Sequence, residues 1–151
     1  MIKICDNIND IAKLWSEAFG DNFEDIKFFY DNIRHGKCYA YYDDGNIASM
    51  LYLIDCTLNG RQSHYVYAAC TLNEYRRRGY MSKLLQFISD EYDSVCLIPA
   101  NENLIEFYSN RNIKYKNSLD DISFDECEEL INDYLFEGCT LGEPLILCSD
   151  K

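Results

Sequence analysis

The pattern of apolar and polar residues differs between the two halves of the chain. In the first half, two amphipathic stretches with helical spacing precede three long stretches of strand character that polar turns connect. We predict helices over residues 9–19 and 23–33, and strands over residues 2–5, 38–42, 47–58 and 62–72. The turn sequences Asp43-Asp44-Gly45-Asn46 and Asn59-Gly60 are typical of hairpins, so the last three of these strands are expected to be consecutive and antiparallel.

The first predicted helix has a recognisable start, end and buried face. Asn9 or Asp10 is expected to cap its N-terminus, and Gly20 is expected to end it. The apolar positions that share one face are Ile11, Leu14, Trp15 and Ala18.

In the second half, helical and strand patterns alternate. We predict helices over residues 79–92, 101–111 and 125–135, and strands over residues 95–98, 114–116 and 145–148. A meander followed by alternating strands and helices is typical of an α/β (α+β) fold with a mixed, mostly antiparallel central sheet. We see no internal repeat or linker, and we therefore expect residues 1–151 to form a single domain.

Composition is consistent with a globular protein. The chain has 151 residues, of which 48% are hydrophobic and 26% charged, and this length is sufficient for a buried core. The longest apolar runs, such as residues 95–98, are too short to span a bilayer. The first ten residues do not resemble a secretory signal, so we expect no membrane association and a cytoplasmic location.

The net charge of −12 argues against a nucleic-acid partner, because phosphate backbones are bound by basic surfaces. The acidic residues are concentrated between Asp120 and Glu137, where there are eight acids and no Lys or Arg. This segment is either a solvated helical face or a surface that attracts a cationic substrate.

The eight cysteines form neither a CxxC pair nor a cluster with histidine. We interpret them as small buried hydrophobic residues, and we expect neither a disulfide framework nor a metal site.

The segment from His64 to Leu85 contains the clearest candidate binding site. A predicted strand leads into a basic loop, Arg76-Arg77-Arg78-Gly79, and this loop opens directly into a helix. Helix N-termini present unpaired N–H groups and partial positive charge, and they bind anions. Gly79 permits close approach of a ligand to the backbone. The loop therefore predicts a pyrophosphate site, although a purely structural turn before a helix has a similar sequence.

A second candidate segment begins after the strand over residues 95–98. Asn101 stands at the start of a predicted helix, and Tyr108 follows seven residues later. Two helical turns cover about 7.2 residues, so the two side chains share a face and lie roughly 10 Å apart. They are placed to contact the two ends of an elongated ligand arm. Alternatively, Asn101 is an N-cap and Tyr108 a core aromatic.

Together these two segments resemble the GNAT superfamily of N-acetyltransferases. The coenzyme A motif of that family, Arg/Gln-x-x-Gly-x-Gly/Ala, is similar to residues 76–81, and its later Asn…Tyr motif is similar to residues 101–113. The order of predicted elements also agrees, and the resemblance covers about residues 1–119. The sequence segment YRRRGYMSKLL is also similar to the N-terminal domain of enhanced-intracellular-survival acetyltransferases.

The resemblance implies a GNAT-like sheet of six to seven strands flanked by four to five helices. It implies acetyl-CoA as co-substrate, no metal, an amine acceptor on a small molecule or a protein, and a monomer or homodimer. Tyr108 is then the general acid that protonates the coenzyme A thiolate as it leaves. The residues implied to bind the cofactor are Ala69, Cys70, Thr71, Arg76, Arg77, Arg78, Gly79, Tyr80, Met81, Ser82 and Asn101.

Three positions depart from the family pattern. Met81 replaces a small residue, Asn112 replaces glycine, and Tyr65 stands where many members carry a carboxylate base. The base is therefore unassigned: Glu74 is expected to pair with a loop arginine, His64 points away from the face of Tyr65, and a water chain is an equal alternative. Covalent catalysis by Cys70 is not expected, because the thiol has no obvious activating partner. A non-catalytic acyl-CoA-binding module and an unrelated α/β interaction domain are the competing hypotheses.

Overall fold

A computed structural model describes residues 1–136 and 139–149. The α-helices in this part of the chain are Ile8–Phe19 (α1), Phe23–Asn32 (α2), Tyr80–Glu91 (α3), Glu102–Ser109 (α4) and Glu128–Tyr134 (α5). The strands are Ile2–Ile4 (β1), Lys37–Asp43 (β2), Asn46–Leu58 (β3), Arg61–Thr71 (β4), Val95–Leu97 (β5), Tyr115–Asn117 (β6), Ile122–Phe124 (β7) and Ile146–Cys148 (β8).

The strands form one mixed sheet in the order β1-β2-β3-β4-β5-β8-β6, and β7 pairs with the end of β3. Strands β4 and β5 are parallel, whereas the other neighbours are antiparallel. The predicted fold class is confirmed. The described residues form eight strands rather than the expected six to seven. The strand without a counterpart in the sequence analysis is β7, a three-residue strand that pairs Phe124 with Cys56.

Helix α1 begins earlier than expected. The side chain of Asn7, and not that of Asn9 or Asp10, accepts hydrogen bonds from the N–H groups of those two residues, at 2.9 and 3.3 Å. Gly20 ends the helix in the left-handed conformation, as predicted, with φ of 77°. The residues of α1 that are buried are Ile11, Ala12, Leu14 and Trp15, while Ala18 is exposed.

Helices cover both faces of the sheet. On one face, α1, α2 and α5 contribute to a core that includes a cluster of aromatic rings. Phe29 stacks on Tyr67 at 5.1 Å between ring centroids, and Trp15 contacts Phe29 edge-on at the same distance. On the other face, Leu84, Leu85 and Ile88 of α3 pack against the sheet, as the helical spacing of these residues predicts. The sheet is therefore a wall between two separate cores.

All eight cysteines are free thiols. Six of them are buried, as their interpretation as small core residues predicts, whereas Cys127 is exposed and Cys139 is half-buried. Among the described residues, no helix is both long enough and apolar enough to cross a membrane.

Candidate active site

A cleft opens where β4 and β5 diverge. The two strands pair at only two positions, ending at Tyr65 and Cys96. Beyond that point β4 continues along β3 with a shift in register, and Ala68 adopts the left-handed conformation with φ of 53°. An extra residue of this kind bends the strand that carries it. Because β4 bends and β5 ends at Leu97, the sheet splits between them.

The cleft is a cavity of about 210 Å³ whose walls come from both faces of the sheet. Val66, Leu97 and Tyr108 belong to the α3 side, whereas Trp15 and Tyr67 belong to the α1 side. The split therefore connects the two helical layers through the sheet.

The edge of β4 that faces the split has no strand partner in the described chain beyond Tyr65. Its other edge still pairs with β3, with Cys70 opposite Met50 and Thr71 opposite Ser49. Ala69 lines the cleft, whereas the Cys70 carbonyl accepts a hydrogen bond from the Ser49 hydroxyl at 3.2 Å. An edge of this kind presents backbone N–H and C=O groups that an extended ligand can pair with.

The basic loop lies between β4 and α3, as the sequence predicts. Arg77 and Gly79 both adopt left-handed conformations, with φ of 66° and 79°, and such a backbone turns successive N–H groups toward one concave side. No side chain caps α3, and its first backbone hydrogen bond runs from Lys83 N–H to Gly79 O at 3.1 Å. The N–H groups of Tyr80 and Ser82 belong to the unpaired first turn of the helix. The loop is therefore open to an anion.

The three loop arginines are exposed, but they are not equivalent. Arg78 pairs with Asp43 at 3.3 Å, and the Tyr80 hydroxyl donates to the same carboxylate. Arg76 and Arg77 have no ion pair within the described residues, so both guanidinium groups can reach a ligand. The expected ion pair between Glu74 and a loop arginine is not formed among the described residues, so this prediction is wrong. The carboxylate that pairs with Arg78 is that of Asp43.

Arg111 is a site residue that the sequence analysis missed. Its Nε donates to the Ser82 hydroxyl at 2.9 Å, and its Nη1 donates to the Phe107 carbonyl at 2.7 Å. The guanidinium group also lies 3.6 Å from the centroid of the Phe107 ring. These contacts tie the end of α4 to the first turn of α3 and place another positive charge beside the loop. The sequence feature that could have identified Arg111 is its position, three residues after Tyr108 and within the Asn…Tyr motif of residues 101–113.

The two predicted residues of α4 have different surroundings. The Asn101 side-chain oxygen accepts from Leu104 N–H at 3.0 Å, so this side chain is an N-cap. Tyr108 lines the cleft, and its hydroxyl has no hydrogen-bond partner among the described residues. Burial raises the pKa of Tyr108 to about 12, while the nearby Arg111 acts in the opposite direction. Met81 is half-buried and packs with the α3 core.

Tyr65 and His64 face opposite sides of β4, as the strand alternation predicts. The Tyr65 hydroxyl accepts a hydrogen bond from Ile98 N–H at 3.2 Å inside the cleft. Burial raises its pKa well above the ordinary value. His64 lies away from the cleft, with Nδ1 at 3.0 Å from an Asp55 oxygen. Among the described residues that line the cleft, none is a carboxylate or an imidazole.

The surroundings of Cys70 bear on the expectation that this residue is not a covalent catalyst. Burial raises the pKa of the Cys70 thiol to about 12, and a thiol that stays protonated is a poor nucleophile.

Several acids of the segment after Asp120 accept hydrogen bonds from backbone N–H groups. Glu126 accepts from His35 at 2.7 Å, and Glu128 accepts from Phe124 at 2.7 Å. Glu137 lies outside the described residues.

Comparison with known proteins identifies the class. Residues 5–114 match the family model described as an acetyltransferase (GNAT) domain, and the chain belongs to this family. A search of curated proteins finds no match.

Several solved structures share the fold. A GNAT-family acetyltransferase from Bacillus cereus has a TM-score of 0.63 at 17% identity, and the match covers 100% of this chain and 98% of that one. Glucosamine-6-phosphate N-acetyltransferase from Arabidopsis thaliana has a TM-score of 0.60 at 15% identity, covering 78% and 94%. A probable N-acyltransferase from Enterococcus faecalis has a TM-score of 0.62 at 15% identity, covering 77% of this chain and only 33% of that one.

Proposed function

We propose that this chain is an N-acyltransferase that moves the acetyl group of acetyl-CoA onto an amine of a small molecule or a protein. The observation that carries the proposal is the continuity of three features. An anion-binding helix N-terminus at Gly79 adjoins a free β4 edge, and this edge leads to a cleft lined by the unpaired hydroxyl of Tyr108.

The residues of the loop and of the strand edge fit the polar parts of coenzyme A. Gly79 has open space where a Cβ would stand, so a diphosphate can approach the amides of residues 79–82. Arg76 and Arg77 supply charge. The backbone of residues 69–71 is placed to pair with the amide groups of the pantetheine arm, and Asn101 retains its side-chain N–H₂ group for the same arm while its oxygen caps α4.

Tyr108 is proposed as the general acid. Acetyl-CoA supplies a thioester carbonyl and a thiolate leaving group. Because the pKa of Tyr108 is raised to about 12, its hydroxyl remains protonated at neutral pH and can donate to the departing sulfur. The absence of a protein partner for this hydroxyl among the described residues leaves its proton free for that step.

The amine must lose a proton before it attacks, since an alkylammonium group has a pKa of about 10.4. We propose that this proton leaves through water in the open cleft rather than through a dedicated side chain. The position of Tyr65, where many family members carry a carboxylate, supports this route. A tyrosine in place of this carboxylate base also favours the alternative function, a non-catalytic acyl-CoA-binding module.

One experiment separates the two functions. Coenzyme A release is followed with a thiol reagent while acetyl-CoA is mixed with a panel of amines, and binding of acetyl-CoA is measured by calorimetry. Turnover that Tyr108→Phe lowers by about 10²-fold or more, with binding retained, supports the transferase. Tyr30→Phe is the matched control, because this tyrosine lies on α2 and bonds the Asp6 carbonyl. Tight binding without turnover on any amine would establish the alternative.

Other expectations remain predictions: one domain over residues 1–151, a cytoplasmic location, a monomer or homodimer, and similarity to enhanced-intracellular-survival acetyltransferases. Size-exclusion chromatography with light scattering tests the oligomeric state.

A further inference from the structure

A second cavity lies at the opposite end of α3 from the anion-binding loop. It has a volume of about 400 Å³, which is within the usual range for small-molecule sites. The chain contains two histidines, His35 and His64, and both line this cavity together with Arg34 and Lys37. In a chain with a net charge of −12, four residues with cationic or potentially cationic side chains therefore line one cavity.

The loop that carries three of these side chains is held in place from two sides. Gly36 packs so closely that a Cβ there would lie 2.7 Å from Ile33 Cγ2 and 2.8 Å from Tyr52 Cε1. The His35 N–H group donates to a Glu126 carboxylate oxygen at 2.7 Å. These contacts fix the loop backbone, so the Cα positions of Arg34, His35 and Lys37 at the wall of the cavity are preorganised for binding.

The opposite wall presents an oriented imidazole. His64 Nδ1 lies 3.0 Å from Asp55 Oδ1. Because an ionised carboxylate only accepts, Nδ1 carries the hydrogen and Nε2 is left for another partner. The Tyr92 ring packs against the imidazole at 4.4 Å between centroids, and the Tyr92 hydroxyl is itself held by a hydrogen bond with Tyr39.

Two of the four side chains, Arg34 and Lys37, keep a charge that no carboxylate of the described residues pairs with. Among the described residues, Asp55 is the one carboxylate in the lining, and it contacts His64. Neither Arg34 nor Lys37 forms an ion pair within the described part of the chain. Guanidinium and ammonium groups without a carboxylate partner, lining one cavity, are the groups that bind oxyanions in proteins.

We propose that this basic pocket, formed by Arg34, His35, Lys37 and His64, binds the phosphate group of a small phosphorylated molecule. A phosphate monoanion suits these two walls better than a carboxylate does. Its ionised oxygens can accept from Arg34 and Lys37 on one wall, and its P–OH group can donate to Nε2 of His64 on the other. The pocket is also distinct from the loop at Gly79. Helix α3, which separates them, has 12 residues and is about 18 Å long at 1.5 Å per residue.

The two histidines provide a direct test. Because the chain has no others, the imidazole C–H signals in an NMR spectrum report on this pocket alone. The full chain is titrated with inorganic phosphate and with glycerol 3-phosphate, at fixed pH and at ionic strength matched with chloride. We expect saturable shifts of both imidazoles, and tighter binding of the ester because the cavity is larger than a phosphate ion.

Matched variants locate the site. Arg34→Gln and Lys37→Gln are each expected to weaken binding by about tenfold or more, since each removes a charge-assisted contact. Both side chains are exposed, so the variants should fold. Lys13→Gln, an equally exposed charge removal on α1, and Arg76→Gln in the other anion site should leave the imidazole shifts unchanged.

Three results would overturn the proposal. Shifts that increase linearly without saturation would mean that no site exists. A stronger response to succinate than to phosphate would reject phosphate as the ligand. Equal weakening by Lys13→Gln and Lys37→Gln would mean that the anion responds to general charge. None of these readouts depends on acetyl transfer, so the proposal stands or fails independently of the proposed enzymatic activity.

Discussion

Gly79 offers a quantitative test of how the proposed anion-binding loop is built. Its φ of 79° lies in the left-handed region, where a residue with a Cβ is less stable than glycine by about 1–2 kcal/mol. Apart from Gly79 and its two chain neighbours, no residue has a heavy atom within 4 Å of the position that a Cβ would take, so steric overlap with the rest of the protein adds nothing. We therefore expect Gly79→Ala to lower the free energy of unfolding by about 1–2 kcal/mol through backbone conformation alone.

Urea unfolding followed by circular dichroism measures this loss. For a chain of 151 residues, a loss of 1 kcal/mol corresponds to a decrease in Tm of about 2–4 °C. Gly142→Ala is the control, because its Cβ also meets open space and its φ is not in the left-handed region. Gly79→Asn is expected to recover part of the stability, since asparagine tolerates this conformation.

The same substitution tests the ligand site. If alanine pulls the loop toward an ordinary helical conformation, the amides of residues 79–82 no longer converge, and the Kd for coenzyme A should rise by about tenfold, or about 1.4 kcal/mol. Gly79→Asn should bind more tightly than Gly79→Ala. Full stability and unchanged affinity in Gly79→Ala would refute both the left-handed conformation and the role of these amides. A stability loss above about 3 kcal/mol would contradict the open space, because backbone conformation accounts for only about 1–2 kcal/mol and steric overlap would be needed for the remainder.

Three further predictions concern other residues of the site. Burial raises the pKa of Tyr108 to about 12, and the general acid proposed here is active while protonated, so kcat should show no decrease from its ionisation between pH 8 and 10. A pH–rate profile in which Tyr108→Phe removes an alkaline limb in that range would contradict this. Arg111→Gln should lower the free energy of unfolding, measured in urea, by about 1–2 kcal/mol, because it loses the hydrogen bonds to Ser82 and the Phe107 carbonyl. Arg111→Lys should not restore this loss. Equal stability of the wild type and Arg111→Gln would show that these hydrogen bonds are not formed. Iodoacetamide should modify the exposed Cys127 well before the buried Cys70, as peptide mass spectrometry can show, and the reverse order would be inconsistent with the raised pKa of Cys70.

Local features of the sequence were sufficient to predict the helices and the loop. The spacing of apolar residues placed α3 within one residue at each end, because its buried face repeats regularly and Gly79 precedes it. The loop was predicted because a strand, several arginines and a glycine stand together in sequence. Tyr108 lies on α4 as predicted, whereas Asn101 lies just before the helix as its N-cap, an alternative that spacing alone left open.

Features that depend on distant parts of the chain were not predicted. Strand β7 forms because Phe124 lies beside Cys56, and an acid-rich stretch gives no local sign of that pairing. The bend at Ala68 depends on a register shift relative to β3, while the local sequence continues as an ordinary strand. Arg111 becomes part of the site only through its contact with Ser82, 29 residues earlier in the chain.

The passage of the cleft through the sheet has a kinetic consequence. A thioester approaching from the layer of α3 and an amine approaching from the layer of α1 would meet from opposite directions, so neither has to leave before the other arrives. Both substrates can then occupy the protein at once in a ternary complex. Double-reciprocal plots for the two substrates should intersect rather than run parallel, as expected for a sequential mechanism without an acylated protein.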